Sequence, residues 1–226
     1  FAGDRAISAM QPELSRLTEA GLPVLLGPTL GELLAKQGQE YVAIGVGTSG
    51  NAYLQNPTAE RTGGVTIHPD FTLPREMHES LVARFGIWPD ESLLNTSRLA
   101  HGMRILTEYV LLERNPAVTL DWSSEPDKSQ HAAGVGSSLS DTAVKEADLQ
   151  FGNLVRWLRE NGRSDDTNVV VVSDHGYSTI IRSLDIEGLL KKAGFASYGE
   201  PGGIVVAQNG GAALFYTLPG DQATTQ

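Results

Sequence analysis

A chain of 226 residues can form one large domain with a sizeable core or two small ones, and a single α/β domain over 1–226 is expected. Lys and Arg number 17 against 27 Asp and Glu, a formal charge of -10 with no basic stripe, which excludes a protein that grips a nucleic-acid backbone. The absence of cysteine excludes disulfides and thiolate metal sites, and no apolar run approaches the ~18 residues that span a bilayer. Any phosphate substrate must therefore be held locally, by metal ions or backbone amides.

The chain starts at Phe1 without the n-region or h-region of a signal peptide, so a preceding stretch is expected to have been cleaved or left out. Residues 1–22 read as a loose start and a helix with Leu14, Leu17 and Leu22 on one stripe, closed by Gly21. Residues 23–26 read as a short strand. Thr29 and Glu32 form a capping box that opens a helix to about Lys36, ended by Gly38. Residues 41–46 are an apolar strand. The glycine-rich loop at 47–51 lacks the lysine of a P-loop and the spacing of a dinucleotide fingerprint, and reads as an ordinary turn. Residues 55–95, rich in Pro, Gly and Thr, read as a long surface excursion serving as a lid or specificity element. His68 and His78 fall there without a partner at ligand spacing and read as surface histidines.

Thr96 or Ser97 is expected to cap a helix in which Leu99, Met103, Leu106 and Val110 recur at helical spacing, with His101 structural or exposed. Residues 117–122 are a strand candidate. Pro126 fits the first position of a helical turn, and in such a turn Asp127 and His131, four apart, share a face. That geometry suits a common ion and equally suits a plain surface ion pair. Val144, Ala147, Phe151, Leu154, Val155 and Leu158 trace the apolar face of a helix ended by Gly162. Val169, Val170, Val171 and Val172 then read as a strand buried on both faces, because alternate strand residues point to opposite sides. With the preceding strand and helix it would complete a βαβ crossover. A short helix at 184–193 and a hairpin of strands at 203–207 and 212–216 around Asn209 and Gly210 close the chain.

Asp174, His175 and Gly176 follow the valines. In open α/β sheets, ligands bind at the carboxyl ends of strands. Asp174 and His175 then reach one site if the backbone turns at Gly176; the alternative is a turn-initiating aspartate beside a hydrogen-bonded loop histidine. Parallel neighbouring strands would bring Asp127 and His131 to the same rim.

Glu125, Pro126, Asp127 and His131, followed after a helix by Val172, Ser173, Asp174, His175 and Gly176, resemble the metal-binding segment of the type I phosphodiesterase and nucleotide pyrophosphatase family, in the alkaline phosphatase superfamily. The resemblance is best from about Val118 to Thr179 and weaker, toward bacterial-type members, around Gly47 to Pro57. It implies an alkaline phosphatase-like α/β sandwich, a mostly parallel central sheet with helices on both faces. It also implies two divalent ions, zinc with manganese as the other candidate. Asp127 and His131 would hold one ion, Asp174 and His175 the other. The implied activity is hydrolysis of a small phosphodiester or nucleotide pyrophosphate through a covalent phospho-enzyme intermediate, and the implied setting is secreted or periplasmic. Phosphomonoesterase, phosphonate hydrolase and phosphoglycerate mutase relatives share the Asp-His pair. The family's first-strand aspartate, its Thr or Ser nucleophile and its C-terminal histidine have no counterpart here. The chain is accordingly expected to be a portion of a longer catalytic domain, or else a non-catalytic binding fragment of the same fold.

Overall fold

The computed structural model describes residues 8–197, 202–217, 220, 221 and 224. Contacts gather into two compact units, one spanning Ile7–Ser178 and the other containing Thr179–Gln226. The larger unit opens with helices α1 (Gln11–Glu19) and α2 (Leu30–Ala35). Thr29 caps α2 through the expected reciprocal box, its hydroxyl accepting from the Glu32 amide while the Glu32 carboxylate accepts from the Thr29 amide.

Strand β1 (Tyr41–Gly45) has no charged side chain and lies buried along its whole length, as a strand with a neighbour on each side should. It pairs in parallel with β2 (Val65–His68) and with β4 (Val118–Trp122), and β3 (Phe71–Leu73) adds antiparallel to β2. The sheet order is β3-β2-β1-β4, mostly parallel and flanked by helices. Between β1 and β2 come α3 (Ser49–Gln55) and α4 (Ala59–Thr62), and after β3 comes α5 (Met77–Phe85). Helix α6 (Thr96–Ile105) continues as a π-helical stretch, Leu106–Arg114. After β4 follow α7 (Asp127–Ala133) and the 23-residue α8 (Ser138–Glu160).

Two apolar clusters hold this unit. Val42, Ile44, Val65 and Ile67 from the sheet pack with Leu81 and Phe85 of α5 and Met103 and Ile105 of α6. Leu14, Ala52, Tyr53 and Ala59 from the helices pack with Phe71 and Leu73. The smaller unit contains α9 (Ile186–Lys192) and a sheet of β5 (Ala196–Ser197), β6 (Gly203–Asn209) and β7 (Ala212–Thr217). Its expected hairpin is present, with Asn209 opposite Ala212 and Gly210 at φ +56° making the turn.

Four expectations are corrected. Residues 23–26 form no strand, and Leu26 is exposed. The supposed surface excursion at 55–95 carries β2 and β3 in the central sheet, with every residue of both strands buried. Strands of four and three residues set among Pro, Gly and Thr are too short for alternation to reveal. The valines at 169–172 run without ladder partners, with Val170, Val171 and Val172 exposed by 77%, 76% and 82%. A strand requires a paired edge as well as apolar residues, and β4 pairs here with β1 alone. The βαβ crossover through α8 is therefore absent, since its second strand does not form.

Candidate functional site

The chain leaves β4 through a tight turn in which the Ser123 hydroxyl donates to the Glu125 carbonyl (2.6 Å) and accepts from the Glu125 amide (3.1 Å). Helix α7 starts at once. Lys128 N–H donates to the Ser124 carbonyl and Gln130 N–H to that of Pro126. Asp127 sits in its first turn and His131 in its last, each at the helix end whose partial charge suits it. The i, i+4 spacing brings His131 Nε2 to 3.6 Å from Asp127 Oδ1.

Asp174 and His175 arrive on the segment that follows the unpaired valines and reach the same place. His175 Nε2 lies 3.5 Å from Asp127 Oδ1 and 3.7 Å from Asp174 Oδ2. The two imidazoles stand edge to face with ring centres 6.5 Å apart. His175 Nδ1 is 3.2 Å from the Gly176 carbonyl, and an oxygen there accepts only from Nδ1–H. In the neutral ring that tautomer leaves the Nε2 lone pair facing two carboxylates, an arrangement of donors that could share a cation. All four side chains are about half exposed, so their contacts contribute only about 0–1 kcal/mol each to stability.

Tyr177 was not anticipated. Its hydroxyl donates to the Asp127 carboxylate and lies 3.2 Å from the Asp127 carbonyl, and its ring packs against His131 (5.0 Å) and His175 (5.2 Å). Burial first, then the hydrogen bond and charge of Asp127, raise its phenol above the ordinary range. The only sequence signal was adjacency, one residue past Gly176. Asp121 of β4 is exposed, yet the protein mass around it desolvates its carboxyl enough to push it up to about 7.

The remaining histidines have other neighbours. His68 is buried rather than on the surface, with Nε2 bonded to the Gly47 carbonyl (2.9 Å); the β2 position that buries it was hidden in the presumed excursion. His78 meets the Thr72 hydroxyl, and the His101 ring lies tilted against Trp88 with centroids 4.5 Å apart. The expected turn at 47–51 is confined to Gly47 and Thr48, because Ser49, Gly50 and Asn51 form the first turn of α3, which the Thr48 hydroxyl caps by accepting from the Asn51 amide.

The donors suit a zinc-type ion in kind, being carboxylates and imidazoles, but a catalytic zinc ordinarily takes about three protein ligands. Among the described residues, no three His, Asp or Glu side chains converge as ligands on one ion. Each acid-imidazole couple supplies two. His175 is as close to Asp127 as to Asp174, so the couples interlock.

A mostly parallel four-stranded sheet flanked by helices is consistent with an alkaline phosphatase-like fold. The family model for type I phosphodiesterase / nucleotide pyrophosphatase matches residues 27–225, and the chain belongs to that family. Hydrolysis of phosphodiester or pyrophosphate linkages is thereby its class of chemistry. No curated protein and no solved structure matches the chain. Among the described residues no helix is long and apolar enough to cross a membrane.

Proposed function

We propose that this chain supplies the metal-holding part of a hydrolase acting on small phosphodiesters or nucleotide pyrophosphates. The observation that carries the reading is the gathering of His131, His175 and Tyr177 around the single oxygen Asp127 Oδ1, with Asp174 alongside. Asp127 and His131 would hold one divalent ion, zinc or manganese, and Asp174 and His175 a second. Bound there, such ions neutralise phosphate oxygens and lower the pKa of an attacking hydroxyl or water. The Gly176 carbonyl would keep the proton on His175 Nδ1 so that Nε2 faces the ion, and Tyr177 would orient the Asp127 carboxylate. A negatively charged protein tolerates a phosphate substrate when the local charge is carried by cations.

The phospho-enzyme intermediate that the resemblance implies would form on a serine or threonine hydroxyl aimed at phosphorus, and no residue of this chain is assigned that role. Among the described residues, the Tyr177 hydroxyl is engaged as a donor to Asp127 and the Ser173 hydroxyl as a donor to the His175 carbonyl. That observation favours a second reading, a metal- or ligand-binding module of the same fold without turnover. Substrate choice would fall to the 55–95 stretch, whose Glu91 pairs with Lys128 of α7.

The deciding experiment couples equilibrium dialysis against zinc with an assay on a chromogenic phosphodiester and a panel of monoester and phosphonate substrates. Zinc-dependent diesterase activity supports the hydrolase, and tight zinc binding without turnover supports the module. Neither binding nor turnover discards both.

A further inference from the structure

Glu125 lies behind α7 with 3% of its surface exposed, and both of its carboxylate oxygens accept backbone hydrogen bonds. Oε1 accepts from the Asn95 amide N–H at 2.8 Å and Oε2 from the Ser129 amide N–H at 3.0 Å. Asn95, itself buried, donates through its side-chain amide to the Val46 carbonyl (3.3 Å) and to the Ser124 hydroxyl (3.0 Å). Val46 in turn donates to the Trp122 carbonyl at the end of β4 (3.1 Å). An unbroken run of hydrogen bonds thus joins the ends of β1 and β4 to the first turn of α7.

We propose that Glu125 is a positioning residue for the acid-imidazole cluster, setting the rotation of α7 about its own axis and so the direction in which Asp127 and His131 point. The inference rests on the reading of those two residues as part of the site. The Ser129 N–H is one of the first-turn amides that a helix leaves without an internal partner, and it lies two residues after Asp127 and two before His131. A short helix held at that amide has little freedom to turn. A buried carboxylate is costly unless fully bonded, and here it alone can accept from two segments at once. Glutamine at this position would accept through one oxygen and turn an NH2 group toward the other donor.

The test compares Glu125→Gln and Glu125→Asp with the unaltered full chain. It uses circular dichroism for fold, imidazole nitrogen resonances of the metal-free protein for side-chain placement, and competition titration with zinc for affinity. In Glu125→Gln the resonances of His131 and His175 are expected to move while those of His68 and His101 stay. Zinc affinity is expected to fall at least ~10-fold, in line with lost ligand support, and Glu125→Asp to lie between. A folded Glu125→Gln protein with unmoved His131 and His175 resonances overturns the proposal. If the glutamine variant does not fold, the aspartate variant decides: an unmoved His131 there overturns it equally. Failure of the unaltered protein to bind zinc counts against the metal site, while the resonance comparison still judges Glu125.

Discussion

Replacing His68 with phenylalanine removes two hydrogen bonds from the core while keeping a ring that can stack on Phe71, now 5.2 Å away. His68 is 1% exposed, bonds the Gly47 carbonyl through Nε2 at 2.9 Å and accepts the Asp70 amide N–H at Nδ1 (3.1 Å). It therefore ties the end of β2 to the loop between β1 and α3. Each of these two hydrogen bonds contributes about 1 kcal/mol net of what water returns to the part-buried Gly47 carbonyl and the amide of exposed Asp70, so His68→Phe should lose about 2 kcal/mol near neutral pH. Burial, the largest influence, lowers the His68 pKa from its ordinary 6.5, against the raising effects of the Gly47 bond and the Asp70 charge. Below about pH 6.5 the unfolded chain then binds the extra proton more readily than the folded one. The stability that neutral His68 contributes is present above that pH and is lost as pH falls through the depressed folded value. The variant has nothing to lose there, so the gap between the proteins should be about 2 kcal/mol near pH 7.5 and narrower near pH 5. Urea unfolding followed by tryptophan fluorescence reads this directly, because Trp88, Trp122 and Trp157 all lie in the larger unit. No gap near neutral pH, or a gap of constant size across the range, would refute the argument.

Asp121 carries the opposite sign. Its folded pKa, up to about 7, exceeds its ordinary 3.8, so its contribution is present below the latter value and lost as pH rises through the former. Discounted for its water access, Asp121→Asn should gain about 1 kcal/mol near pH 8, and an acid-to-alkaline stability slope identical to that of the unaltered protein would count against it. Gly64→Ala would set a Cβ 2.4 Å from the Tyr41 carbonyl where β1 and β2 begin to pair. It should cost about 2 kcal/mol or more and lower the melting temperature by roughly 4–8 °C; an unchanged melting curve contradicts this. His131→Ala and Asp174→Ala should each weaken zinc binding by at least ~10-fold, measured by dialysis, and unaltered affinity in both removes them from the site.

Much of the candidate cluster's arrangement could be read from the residues because its geometry is local. Pro126 before a turn and the four-residue step from Asp127 to His131 suffice to place both side chains on one face of α7, whatever the rest of the chain does. Likewise β1 announces itself through an uninterrupted apolar run, and α2 through the Thr29 and Glu32 box. Features that depend on a partner elsewhere were not legible. Whether Val169 to Val172 pair is settled by an available edge, about which four valines say nothing. The short β2 and β3 are buried by neighbours distant in sequence, and His68 with them. Asp174 and His175 were expected beside Asp127 through adjacent strands. They stand beside it without the second strand, held on a segment whose Tyr177 hydroxyl bonds the Asp127 carboxylate.

Titrating the metal-free protein with zinc while following all five histidine side chains by imidazole nitrogen resonances addresses the metal site most directly. The account predicts that His131 and His175 change together as the ion binds, while His68, His78 and His101 keep their positions. Zinc binding that leaves either His131 or His175 undisturbed, or that appears first at the other three, would contradict it.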